Sequence, residues 1–241
     1  YPSIYPIDDQ GLPILDNYIN RSEFSWAGSD QYLAMRYIER FPAADPPMAE
    51  MKPMAPKATI DSVFTFSDTI RFQESCFYVV RPDSLANSGV TILRMPPYFP
   101  EYRQLNELME AMVYLTSKQE RDALFNSRNP KAAFDSFWMN TYSTKARARN
   151  GIRKYYNWVA YANRVFTDFR PGWKTDRGMM FIGYGLPQEV YRTESTEEWY
   201  YDFGAAFEFR IFSSFFAPKT YVLRRDMEME EEWYSQIAAI R

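Results

Sequence analysis

The groups in this chain that could do chemistry are carboxylates, arginines and aromatic rings, and their spacing decides which chemistry is open to them. No histidine occurs among the 241 residues, which removes the commonest general base and metal ligand and every Ser-His or Cys-His nucleophile scheme. The single cysteine, Cys76, can build neither a thiolate zinc cluster nor an internal disulfide. It stands in the apolar run Ser75-Cys76-Phe77-Tyr78-Val79-Val80 and reads as a buried structural thiol. The nine glycines form no phosphate-cradling loop, and Gly183-Tyr184-Gly185 is too short for a dinucleotide fingerprint. Glu194 with Glu197 or Glu198 has the residue types of a glycosidase pair, but such a pair needs pKa values tuned apart in a cleft. A surface loop is the ordinary reading. Glu228, Glu230, Glu231 and Glu232 lack the glycine and ligand spacing of a calcium loop; they suit the first turn of a helix, where negative charge is stabilised. No cofactor or metal is implied, and a non-enzymatic protein is expected.

Two clusters suit contact better than catalysis. The segment Gly172-Trp173-Lys174-Thr175-Asp176-Arg177-Gly178 combines a large ring, a turn and a charged pair. As a structural corner, Gly172 would turn the chain after a helix, Arg170 and Lys174 would lie near the negative end of its dipole, and Thr175 and Asp176 would bond nearby amides. Arg177 would then hold a carboxylate. As a binding groove, Trp173, Asp176 and Arg177 would meet a sugar, a peptide or a partner loop. The second cluster is the basic series Lys145, Arg147, Arg149, Arg153 and Lys154. It reads either as a solvated helix start or as a seat for an acidic partner surface or lipid head groups.

The elements that must position these groups follow from hydrophobic period and punctuation. Residues 1–59 carry modest β signals, with 31–40 alternating weakly enough for a strand or a short helix. They end in a stretch with Pro42, Pro46, Pro47, Pro53 and Pro56 that can build neither ladder nor helix: a connector, or an extended strap able to take a partner. Residues 60–100 form a β-rich, sandwich-like region, with antiparallel strands near 63–66, 70–72, 76–80 and 90–93 separated by turn signals. Prolines at 96, 97 and 100 stop the pairing. Residues 101–241 form an α+β domain. Three- and four-residue spacing of apolar side chains gives helices near 103–125, 130–139 and 148–169, the last terminated by Pro171-Gly172 through a glycine free to take positive φ. Strands are expected at 179–184, 198–203, 206–216 and 220–225, and a helix at 227–240 closes the chain.

Composition bounds the partners. With 46% hydrophobic and 18% aromatic residues the chain can bury a substantial core. A net charge of −3 with both signs interspersed gives no footprint for nucleic acid. No apolar run approaches the ~20 residues of a membrane helix, and the opening Tyr1-Pro2-Ser3-Ile4-Tyr5-Pro6 has no signal-peptide form. Membrane association is therefore expected only through an anchor or a partner outside this chain.

The Gly-Trp-Lys-Thr-Asp-Arg-Gly segment resembles the hallmark of the GWxTD domain family of bacterial envelope proteins. Phe137-Trp138 ahead of a long helix, Tyr161-Ala162-Asn163 and Phe166 within it, the Tyr184-Gly185-Leu186-Pro187 turn and Trp199-Tyr200-Tyr201 follow that family's pattern in order over roughly 100–241, with a weaker likeness from 60 onward. Met179-Met180 departs from it in a small way. The resemblance implies an exported protein of Bacteroidota or related bacteria, often a lipoprotein, at the periplasmic face of the outer membrane. It further implies partners among other envelope proteins, as a subunit or scaffold of an outer-membrane assembly such as secretion or gliding machinery. A glycan- or peptidoglycan-binding module is the alternative.

Overall fold

The computed structural model describes residues 4–21, 24–38, 41–50, 59–67, 72–213 and 218–241. The N-terminal part is β-rich. Strands β1 (Tyr5–Ile7), β2 (Tyr18–Ile19), β3 (Ser25–Ala27), β4 (Tyr32–Tyr37), β5 (Ile60–Phe66), β6 (Cys76–Arg81) and β7 (Val90–Arg94) make a β1-β3 ribbon and a five-stranded sheet in the order β2-β7-β6-β4-β5. The sheet is mixed: β2 joins β7 in parallel, whereas every other pair in it is antiparallel. On β4, Tyr32 and Ala34 are buried and Leu33 and Met35 less so, the period-2 pattern that selects a strand over the short helix also open to this run. The buried face is aromatic, with Phe24, Trp26, Tyr32, Phe66, Phe72 and Tyr78 in one cluster. Cys76 is buried at one end of β6, and burial raises its thiol pKa. Of the strand expected at 70–72, residues 70 and 71 lie outside the described residues.

The helices begin where capping chemistry stands. Helix α1 (Leu105–Ala111) passes into a 3₁₀ turn at Met112–Tyr114, and α2 (Lys118–Phe125) starts afresh after Ser117. The single helix expected over 103–125 is thus broken, because Ser117 and Glu120 form a reciprocal capping box that opens a second helix. Asn129 caps α3 (Pro130–Thr141), which has proline at its start. Thr144 caps α4 (Lys145–Phe166), which begins and ends three residues earlier than its period suggests.

The largest correction concerns residues 179–184, expected as a strand. They belong to helix α5 (Asp176–Tyr184), whose N-cap is Thr175 accepting from the Gly178 amide at 3.0 Å. Gly185 ends α5 at φ +80°, so the Tyr184-Gly185-Leu186-Pro187 turn follows a helix. Strands β8 (Glu189–Arg192), β9 (Thr196–Tyr200), β10 (Ala206–Phe212) and β11 (Thr220–Leu223) form an antiparallel sheet ordered β11-β10-β9-β8. Strand β8 was not among the expected elements, and residues 214–216 of the expected third strand lie outside the described residues. A 3₁₀ turn at Met227–Met229 leads into α6 (Glu230–Ile240). The whole is α+β. Its main core joins all six helices to the second sheet through buried side chains that include Trp138, Tyr155, Trp173, Met180, Trp199, Phe209 and Trp233, each contributing roughly 2 kcal/mol on area grounds. No helix among the described residues is long and apolar enough to cross a membrane.

Candidate functional site

The signature segment sits where α4, α5, the second sheet and the N-terminal strap meet. Residues 167–171 leave α4, and Gly172–Lys174 makes one 3₁₀ turn before α5. Gly172 is required here by contact, not by a positive φ: a Cβ on it would lie 1.9 Å from the Ala162 carbonyl oxygen. Gly178 is bound in the same way, since its Cβ would lie 1.9 Å from the Gly172 carbonyl oxygen. Two backbones therefore touch at each glycine, and the turn is pressed against α4. Thr167 fastens it, its Oγ1 accepting from the Gly172 amide at 2.9 Å and donating to the Asn163 carbonyl at 2.5 Å.

Trp173 is 2% exposed. Its indole Nε1 donates to the Tyr102 hydroxyl at 2.7 Å, and its carbonyl accepts from the Tyr114 hydroxyl at 3.0 Å. Asn163, fully buried in α4, accepts from the Trp173 amide at 3.3 Å and donates to the Pro100 carbonyl at 2.9 Å. The ring closes the interior and offers no face to a ligand, which corrects its candidacy as a contact residue. A polar residue inside the apolar stripe of α4 was the available sequence signal for Asn163.

Asp176 is 4% exposed. It does not bond nearby amides: one oxygen accepts from the Leu223 amide at 2.8 Å, 47 residues away, and the other from Arg225 Nη2 at 2.7 Å. Arg225 also donates to the Asp45 carbonyl at 3.0 Å and the Pro46 carbonyl at 3.3 Å. Sequence reasoning missed Arg225, and nothing local in the sequence singles it out. The strap is held at further points, with the Ala44 amide on the Lys174 carbonyl at 2.9 Å, the Asp226 amide on the Pro47 carbonyl at 3.1 Å and Lys174 Nζ on the Phe41 carbonyl at 3.3 Å. Residues 41–50 are thus docked on the corner within the same chain.

Arg177 lies with its guanidinium carbon 3.4 Å from the centre of the Tyr221 ring and 5.3 Å from that of Phe166. It holds the expected carboxylate, that of Glu197, at 3.5 Å through a single nitrogen, and cation–π stacking supplies the closer contact. Burial lowers its pKa while Glu197 pulls the other way. Glu197 is 1% exposed and receives Arg192 Nε at 2.6 Å and the Trp199 indole at 2.9 Å. Glu198 accepts from the Tyr200 hydroxyl, and Glu194 is exposed. The three carboxylates are not convergent on a cleft. Of the cations expected near the α4 dipole, Arg170 is buried beside Asp168 at 3.2 Å, and Lys174 turns to Glu110 at 3.5 Å. Burial raises the Asp168 carboxyl pKa, against the pull of Arg170.

A cavity of about 140 Å³ opens beside the corner between Phe41, Met95, Tyr102, Glu107, Phe169 and Lys174. Glu107 on its wall is already engaged, accepting from Tyr98 at 2.9 Å and from the Gln104 amide at 3.0 Å. The basic series stands elsewhere. Lys145, Arg147, Arg149, Arg153 and Lys154 are all exposed on α4, away from Trp173, Asp176 and Arg177 in the interior. Glu230, Glu231 and Glu232 occupy the first turn of α6.

The corner and its clamps define an α+β domain organised around a Gly-Trp-Lys-Thr-Asp helix start, with Trp173, Thr175 and Asp176 turned inward. The GWxTD domain matches residues 76–241, and the chain belongs to that family. The match begins at the start of β6, inside the N-terminal sheet. No curated protein and no solved structure matches the chain.

Proposed function

We propose that the protein is a noncatalytic envelope component, a subunit or scaffold of an outer-membrane-associated assembly at the periplasmic face. One observation carries the noncatalytic part of this reading: the charged and aromatic groups of the signature segment are committed to internal partners. Asp176 holds Arg225 and the Leu223 amide, Arg177 stacks on Tyr221, and Trp173 bonds Tyr102. Groups so engaged build a rigid body that presents its outer faces, which is what a scaffold needs. The envelope address and the partner class rest on the family's character.

The glycan-binding alternative has support at a different place from the one the sequence suggests. Tyr191 and Tyr200 are exposed, with ring centres 5.6 Å apart on the outer face of the second sheet, where a sugar could stack. The test is affinity purification of the full-length protein from detergent-solubilised native membranes, with mass spectrometry of what accompanies it. Reproducible stoichiometric outer-membrane partners are expected. A monodisperse monomer would overturn the scaffold reading, and glycan-array binding lost in Tyr191→Ala/Tyr200→Ala would put the alternative in its place.

A further inference from the structure

The long helix α4 carries six cations, Lys145, Arg147, Arg149, Arg153, Lys154 and Arg164, and no carboxylate along its 22 residues, in a chain whose net charge is −3. All six are exposed. Among the described residues none of them has a carboxylate within ion-pair distance, although elsewhere Arg36, Arg192, Arg225 and Arg241 each find one at the surface or in the core. Lys154 lies over the Trp158 ring at 4.8 Å. Two of the six, Lys145 and Arg147, also stand in the first turn, which contains no acidic residue and where the helix dipole favours negative charge, whereas Arg164 in the last turn accords with it. Five unpaired cations crowded into residues 145–154, two of them against the dipole, are not placed for the helix's own stability.

We infer that this face of α4 is a docking surface for an extended acidic segment of a partner protein; the inference deepens the scaffold reading and rests on it. Arg149, Arg153 and Arg164 fall on one stripe by helical period, with Arg153 and Arg164 about 16 Å apart along the axis. Between them runs a groove of about 400 Å³ walled by Asn157, Ala160, Tyr161 and Glu101, the last turned toward Arg103 at 3.9 Å. An extended chain laid along this groove meets arginines at both ends, an amide in the middle, and an aromatic wall. Four of the six cations are arginines, whose planar forks suit carboxylates in bidentate fashion. A membrane surface fits less well, because an interfacial helix needs Trp, Phe or Leu on its outer face, and the large apolar side chain exposed along α4 is Val165 alone.

The test measures binding of a labelled ten-residue polyglutamate peptide to the full chain and to the triple variant Arg149→Glu, Arg153→Glu, Arg164→Glu. Wild type is expected to bind at least about tenfold more tightly than the variant, and to weaken between about 50 mM and about 300 mM salt as screening grows. The neutral triple variant to Gln should fall between the two, and it serves alone if charge reversal impairs folding. Equal affinity for wild type and the Gln variant would overturn the inference, as would binding to vesicles with about 30% anionic lipid but not to the peptide. The membrane purification described above, repeated with the Gln variant, separates the two readings. Partners retained by both proteins leave the scaffold and remove this surface; partners with neither remove the scaffold itself.

Discussion

Position 176 shows how much a single carboxylate can organise. It ties the start of α5 to β11 through Leu223 and, through Arg225, to the strap carbonyls of Asp45 and Pro46. Asp176→Ala would leave a nearly buried guanidinium without its counter-charge, a loss of roughly 3 kcal/mol. Asp176→Asn keeps an acceptor for the Leu223 amide and should cost distinctly less. Urea unfolding of the two variants checks this; a loss under about 1 kcal/mol for the alanine variant would show the clamp to be idle. These partners could not be read from sequence, since a turn-forming Asp ordinarily bonds its neighbours and this one reaches 47 residues ahead. Gly172 was legible as necessary but for another reason: the chain packs backbone on backbone there, a contact that only the folded molecule defines.

Among elements, the helices were legible wherever amphipathic period was long. Residues 179–184 were not, because a run of five large apolar side chains around one glycine has no period that separates a buried helix from a buried strand. Thr175, three residues before Gly178, carried the missing signal as an N-cap. The broken helix at 111–117 likewise had a visible cause in the Ser117 and Glu120 capping box. The contrast between α4 and α6 is a matter of charge placement. Helix α6 opens on Glu230, Glu231 and Glu232, in accord with its dipole, while α4 opens on Lys145 and Arg147. Replacing both of these cations by glutamate should therefore raise stability by about 1 kcal/mol, seen as a higher melting temperature at low salt that converges on wild type as salt is added. A lower melting temperature would mean that these cations already have favourable partners.

The molecule as a whole is closed by contacts between distant parts of the chain. Arg241 reaches back to Glu120, with Nη1 at 3.2 Å from one carboxylate oxygen, and Tyr142 donates to the Ile240 carbonyl at 2.8 Å. Burial alone would raise the Glu120 carboxyl pKa, but Arg241 and the Ser117 amide outweigh it and hold the group below its ordinary 4.5. A carboxyl with its pKa lowered on folding adds stability above its unfolded pKa and loses that contribution as pH falls through the folded one. The gap in melting temperature between wild type and Glu120→Gln should accordingly be widest near about pH 6 and close toward about pH 3; a gap that stays constant would sever the pair from acid stability. The α+β class and the order of β region, helices and second sheet were legible in the sequence. The parallel β2-β7 pairing and the seat of the strap were not, because both depend on partners far along the chain.

That strap has a bearing on how the protein is made. Residues 41–50 leave the ribosome well ahead of the groups that hold them, since Lys174, Arg225 and Asp226 follow about 130 to 180 positions later. Strand β2 waits similarly for β7. During synthesis the N-terminal sheet is therefore an unfinished edge with Phe41, Phe77, Leu93 and Met95 uncovered, the kind of transient surface on which chains aggregate or recruit chaperones. Strand β11 and the Arg225-Asp226 segment after it must arrive before residues 41–50 can be latched.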